Sequence, residues 1–314
     1  MGRAKRIPYG VSDFIDIIER NQYYVDKTMY IPKLEDEPDA LFFIRPRRFG
    51  KSLFISMLRA YYDIKRKDKF DKLFGNLWIG SHPTENQGKY QVLFLDFSKI
   101  GGSIDQLEEN FNAYCNECID SFIETYQEYY PERVVESVLK AKTAARKLNA
   151  IGIAAEKKNL PLYLIVDEYD NFTNVVLNEQ GEEVYTALTH ASGFYREIFK
   201  VFKGMFSKIF MTGVSPVTLD DLTSGFNIGW HISTKPAFNQ MLGFSTEDVR
   251  ELFTYYKENG EIRPDSDVEA IIEEMKPWYD NYCFSKSALK TQSKVFNSDM
   301  VFYYLRNYRE TGEG

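Results

Sequence analysis

The chain is predicted to fold as an α/β domain on a parallel sheet, followed by a smaller, mostly helical domain. Four short runs are apolar at their centres, the strongest of them almost throughout: "ALFFI" (40–44), "QVLFLDF" (91–97), "LYLIVDE" (162–168) and "SKIFMTG" (207–213). Strands covered on both faces have this composition, whereas a half-solvated sheet alternates. Amphipathic helical patterns lie between the runs, at 51–63, 104–129, 132–158 and 182–203, and strands alternating with helices favour a parallel sheet. After about residue 235 the strand signal stops and helical patterns continue. The division expected is a sheet domain over 1–234 and a helical one over 235–314.

A fifth, weaker strand is read at "IGWHIST" (228–234). In the helical part, "GFSTEDVRELFTYYKENG" carries Ser245 or Thr246 as a cap with acids in the first turn, and "DSDVEAIIEEMKPWYDNYCF" supplies a second helix. The charge-dense stretch "IKRKDKFDK" (64–72) reads as a solvated helix end.

Composition narrows the function. Lys and Arg number 39 against 46 Asp and Glu, a net charge of −7, so no global positive field draws the chain to nucleic acid. No apolar run reaches the roughly 18–20 residues of a membrane span, and "MGRAKRIPYG" lacks a signal peptide's apolar core; a cytoplasmic location, away from membranes, is expected. Cys115 and Cys118 form a lone CxxC inside a helical pattern, Cys283 is distant, and the three histidines are scattered. That distribution fits helix packing better than a zinc site, which needs a second ligand pair.

The most informative stretch is "LFFIRPRRFGKSLFISML" (41–58). Phosphate loops follow G-x-x-x-x-G-K-[ST]; residues 45–52 read R-P-R-R-F-G-K-S, so only Arg45 departs, standing where the first glycine belongs. The Gly50 half carries the chemistry, because backbone N–H groups of the turn and the helix N-terminus wrap the phosphates and the helix dipole favours the anion. Arg48, Phe49, Gly50, Lys51, Ser52 and Leu53 are the expected nucleotide contacts, with Lys51 reaching the β- and γ-phosphates and the Ser52 hydroxyl binding Mg²⁺. A basic surface turn would carry the same arginines; the position after a buried-type strand and before an amphipathic helix favours the phosphate loop.

"LYLIVDEYDNF" supplies a matching strand that ends in acid. Asp167 fits the Mg²⁺-linked carboxylate and Glu168 the base that orients the attacking water. Adjacent carboxylates repel unless a cation lies near. A metal nucleotide brings one. In "SKIFMTGVSP", Thr212 is the first choice and Ser215 the second for a polar residue sensing the γ-phosphate.

Taken in order, "PYGVSDFIDIIERNQYYVDKTMYI", "FFIRPRRFGKSLFISML", "VLFLDFS", "LYLIVDEYDNF", "FMTGVSPVTLDDLTSGFNI", "MLGFSTEDV", "WYDNYCF" and "VFNSDMVFYYL" resemble the bacterial AAA-ATPase-like family over Arg6 to Leu305. The resemblance implies a P-loop NTPase of the additional-strand type, with the sensor strand between the loop strand and the Asp-Glu strand, and a helical lid. It implies ATP with Mg²⁺, accepts R-P-R-R-F-G-K-[ST] as the loop, and puts Ile7, Pro8 and Tyr9 near the adenine. Members commonly carry a C-terminal nuclease-like domain of the PD-(D/E)XK type; with the chain ending at Gly314, no nuclease site can be assigned.

The leading expectation is an ATP-hydrolysing module that passes nucleotide state to another domain or subunit, with Lys51, Glu168 and Thr212 catalytic and Ser52 and Asp167 at the metal. A non-hydrolysing nucleotide switch is the second reading, and the ATPase part of a nucleic-acid nuclease the third. An arginine finger, often lent by a neighbouring subunit in a homo-oligomer, has candidates in Arg47, Arg48 and Arg196, and Arg250 is a lid-sensor candidate; none is assigned from sequence.

Overall fold

The structure is a computed structural model that describes residues 4–101, 106–171, 194–215, 229–280, 282–291 and 293–312. In chain order its elements are α1 (Phe14–Glu19), α2 (Tyr30–Glu35), β1 (Ala40–Ile44), α3 (Lys51–Tyr62), α4 (Phe70–Phe74), β2 (Gln91–Asp96), α5 (Leu107–Thr125), α6 (Glu132–Lys140) and α7 (Ala144–Lys157). There follow β3 (Leu162–Asp167), α8 (Phe194–Met205), β4 (Lys208–Gly213), β5 (Trp230–His231), α9 (Thr246–Glu258), α10 (Val268–Tyr279), α11 (Lys286–Thr291) and α12 (Ser298–Thr311).

The five strands form one sheet in the order β2-β3-β4-β1-β5, and every pairing is parallel. The strand ending at Thr212 and Gly213 lies between the loop strand and the acidic strand, the additional-strand P-loop arrangement. Period-two alternation explains why the runs are apolar throughout. Phe42, Leu93, Leu95, Leu164, Val166, Ile209 and Met211 face a core built with α5, α6, α7 and α8. Leu41, Phe43, Tyr163, Ile165 and Phe210 face the opposite core, built with α1 to α4. A third cluster joins Val249, Phe253, Ile272, Phe302 and Leu305 of the C-terminal helices, and Ile7, Tyr23 and Val25 of the N-terminal segment pack against it.

Local chemistry corrects several element boundaries. The single helix expected over 132–158 is two: Ala141 is extended, and the Thr143 side chain accepts the Arg146 N–H to start α7 afresh. The charged stretch after α3 is not its end, since Asp63 caps a separate 3₁₀ turn over Ile64–Lys69; α4 then buries Leu73 and Phe74. Among the described residues of "IGWHIST", only Trp230–His231 pairs as a strand, and α1 and α2 were not anticipated. Of the helix expected over 182–203, residues 182–193 lie outside the described residues. Cys115 is buried in α5, as helix packing requires. Among the described residues, no helix is long and apolar enough to cross a membrane.

Arg45 gives the loop its anchor. Its side chain is 1% exposed; Nη1 donates to the carbonyls of Ile44 and Ser233, and Nη2 to that of Phe238, each at 2.8 Å. The guanidinium lies 4.1 Å from the Phe43 ring centroid and 3.9 Å from that of Phe284. Burial pushes its pKa down to about 9, so it keeps its charge at neutral pH. Arg45→Gly, which would recreate the ordinary motif, should therefore destabilise the fold by about 3 kcal/mol, because buried carbonyls lose their donors and a void is left. Urea denaturation midpoints measure this; a glycine variant as stable as the parent would show that the arginine is merely tolerated.

Candidate functional site

The turn after β1 and the ends of β3 and β4 meet at one edge of the sheet. Within the turn φ is +70° at Arg48 and +86° at Gly50, but not positive at Arg45, which is why the first motif glycine is dispensable here. Gly50 needs its freedom for conformation and not for space: an added Cβ would meet nothing closer than Ser298 Oγ at 3.8 Å. No side chain caps α3 at Gly50, so the unpaired N–H groups of its first turn open to an anion.

Lys51 is buried, with Nζ 3.3 Å from Glu168 Oε1 and donating to the carbonyls of Arg45 (3.2 Å) and Pro46 (3.4 Å). Ser52 Oγ donates to Asp167 Oδ2 at 2.7 Å, and Thr212 Oγ1 donates to Asp167 Oδ1 at 2.6 Å. One carboxylate thus receives a hydroxyl from the loop helix and another from β4. Glu168 follows with φ +52°, a strained conformation for a side-chain-bearing residue and a common mark of functional positions. Burial raises its pKa above the ordinary 4.5, Lys51 opposes the rise, and the Asp167 charge adds to it.

Asp170 was not anticipated. It is fully buried and accepts the backbone N–H groups of Val214 (3.1 Å) and Ser215 (2.5 Å), while Tyr169 Oη donates to Ser215 O at 2.8 Å. These contacts pin the turn after β4 to β3. A Cβ on Gly213 would come within 2.5 Å of both Asp170 Oδ1 and the Tyr169 ring, so glycine here is a steric requirement. The sequence signal available was an acid three residues after Asp167.

A cleft of about 270 Å³ runs over the loop, with Pro8, Arg48, Lys51, Glu168, Asp299 and Phe302 on its walls. It adjoins an apolar pocket of about 60 Å³, and the two share Pro8, Gly50, Leu53, Ser298 and Phe302. Of the residues expected at the site, Arg48, Gly50, Lys51, Ser52, Leu53, Glu168 and Pro8 line the cleft, and Asp167 and Thr212 are buried. Phe49 turns inward, 1% exposed, edge-on to Tyr282 with ring centroids 4.7 Å apart. Tyr9 lies elsewhere: its ring is 6.5 Å from that of Tyr303, and it lines a separate cleft with Arg306 and Arg309. Arg250 pairs with Glu247 and Glu269 on the surface, and the Arg196 side chain falls outside the described residues.

Magnesium prefers hard oxygen ligands and commonly takes one or two carboxylates plus substrate phosphates. The Ser52 hydroxyl and Asp167 carboxylate fit that donor set. Among the described residues no group of three or more His, Cys, Asp or Glu could hold a metal unaided.

A profile of the family described as Predicted AAA-ATPase matches residues 8–223. A relative in Azotobacter chroococcum mcd 1, described as an uncharacterized protein in the vnfD 5′ region, is 25% identical over 303 residues, covering 91% of this chain and 50% of that protein. The chain thus spans about half the length of this curated relative. Among solved structures, the Aeropyrum pernix ORC2 protein in ADPNP-ADP complexes aligns with 92% of this chain and 67% of its own, at 10% identity and a TM-score of 0.36.

A carboxyl whose folded pKa is raised stabilises the fold below its unfolded value and loses that contribution as pH rises through the folded one. Without nucleotide, Glu168→Gln should therefore gain stability relative to the parent as pH rises from about 4.5 to neutrality. Parallel thermal denaturation across that range measures the difference. A flat difference, or one that falls, would mean that pairing with Lys51 outweighs burial.

Proposed function

The chain belongs to the family of predicted AAA-ATPases, and from that premise we propose that it binds Mg-ATP in the cleft over residues 48–53 and hydrolyses it. The observation that supports this reading most strongly is the Ser52–Asp167–Thr212 contact, with Lys51 and Glu168 directly beside it. A basic surface turn has no use for a buried carboxylate held from two sides by hydroxyls.

In this reading the turn and first N–H groups of α3 cradle the phosphates, and Lys51 exchanges its Glu168 partner for a phosphate oxygen. Ser52 and Asp167 would hold Mg²⁺, which would supply neutralisation of charge on the transferred phosphoryl group. Glu168, freed from Lys51, accepts the proton of the attacking water; its raised pKa brings it nearer to working pH as a base. Thr212 keeps Asp167 oriented through Oδ1. The apolar pocket beside the cleft, with Pro8 and Phe302 on its wall, gives the base a place to rest. Transmission of nucleotide state to another domain or subunit would pass through the C-terminal helices that share this cleft.

Thermal denaturation with Mg-ATP tests binding: at ligand near 100 times Kd, one-site linkage gives about 2.7 kcal/mol of stabilisation. Lys51→Ala should abolish the shift. Glu168→Gln should keep it while phosphate release falls by about 10²- to 10⁴-fold. A shift that survives Lys51→Ala would put the nucleotide elsewhere, and equal phosphate release by parent and Glu168→Gln would favour a non-hydrolysing switch.

A further inference from the structure

The loop meets the C-terminal helix α12 at a contact that the phosphate motif does not require. The Arg48 carbonyl accepts Ser298 Oγ at 3.1 Å and the Asp299 N–H at 3.4 Å. The Asn297 side-chain amide reaches the Arg47 carbonyl at 3.5 Å. The Arg48 guanidinium, 67% exposed, lies 3.4 Å from the Asp299 carboxylate, which is 23% exposed. These bonds face a residue at φ +70°, so the helix helps to hold a conformation that a non-glycine residue adopts only at a cost.

Arg48, Lys51, Glu168 and Asp299 all line the same cleft. Lys51 is matched to Glu168 and Arg48 to Asp299, so two loop cations face carboxylates supplied by other elements. Glu168 has a chemical use there. Asp299 stands on a different element, at the start of α12, and its carboxylate occupies a cation that an entering polyphosphate would seek.

We propose that Asp299 is a positioning residue that withholds Arg48 from the phosphates in the ligand-free chain and yields it on nucleotide binding, so that cleft occupancy is read by α12. The inference rests on the cleft being the polyphosphate site. A triphosphate, with its greater charge and reach, competes for Arg48 more strongly than a diphosphate. Its arrival breaks the side-chain pair, while Ser298 continues to hold the Arg48 backbone. The coupling is reciprocal: whatever turns the Asp299 carboxylate away from the loop also frees the Arg48 side chain. A carboxylate that instead touched the ligand, through a hydroxyl or the metal, would act with the opposite sign.

Calorimetric binding of Mg-ATP and Mg-ADP separates these roles. Asp299→Asn should tighten Mg-ATP by about two- to fivefold, the effect of one partly exposed ion pair, and Mg-ADP by less. In an Arg48→Gln background, itself weaker for ATP, the asparagine should bring no gain. Ser298→Ala should weaken both nucleotides alike, because it loosens the backbone and not the charge pair. Weaker or unchanged ATP binding by Asp299→Asn, or the same gain without Arg48, would overturn the proposal. Lys51→Ala distinguishes the two levels: if parent and Lys51→Ala bind ATP equally, the cleft is not the nucleotide site and the proposal falls with it. If only the parent binds and Asp299→Asn is no tighter, the site stands and the role of Asp299 is refuted.

Discussion

The arrangement of the site depends on a buried cation whose partners are carbonyls and aromatic rings. The Arg45 guanidinium joins the end of β1 to the carbonyls of Ser233 and Phe238 and lies between the rings of Phe43 and Phe284. The planar five-donor fork of arginine can serve several acceptors while its faces pack on rings, a geometry lysine cannot reproduce. One side chain therefore fixes the turn's entry against segments far along the chain. The Arg45 carbonyl in turn accepts from Lys51 Nζ, so the anchor and Lys51 are neighbours in one network.

The second centre is Asp167, which receives hydroxyls from α3 and β4 and whose neighbour Glu168 faces Lys51. Three elements are thereby brought into register at one carboxylate. Asp170 completes the frame by holding the backbone after β4. The polar cluster lies between two apolar cores on opposite sheet faces, in surroundings where unpaired polar groups are costly and paired ones define geometry.

How much of this was legible in the sequence depends on whether a residue acts through its own type or through distant backbone. The apolar runs at 40–44 and 162–167 show themselves because both sheet faces are covered, and Gly50-Lys51-Ser52 because its residue types match a phosphate-loop pattern position by position. Arg45 could be seen only as a departure from a motif, since its acceptors are carbonyls, which leave no trace in residue identity. Asp170 was hidden for the same reason. The break between α6 and α7 had a signal, Thr143, that periodicity overrode. For Tyr9, the family resemblance implied a base contact, while packing turns its ring toward Tyr303 and leaves Tyr23 and Tyr24 on the apolar pocket wall.

The placement of β4 between β1 and β3 also bears on how the protein comes into being. Ala40 pairs with Ile209, and the acceptors of Arg45 lie at 233 and 238. During synthesis, which runs from the N-terminus, the Lys51 turn emerges long before the strand that must stand beside it. Loop closure across such spans makes this pairing slow to form. A nascent chain lacks the Ser52–Asp167–Thr212 contact until the ribosome has passed these positions, so a nucleotide bound beside that contact would stabilise only chains already folded through β4.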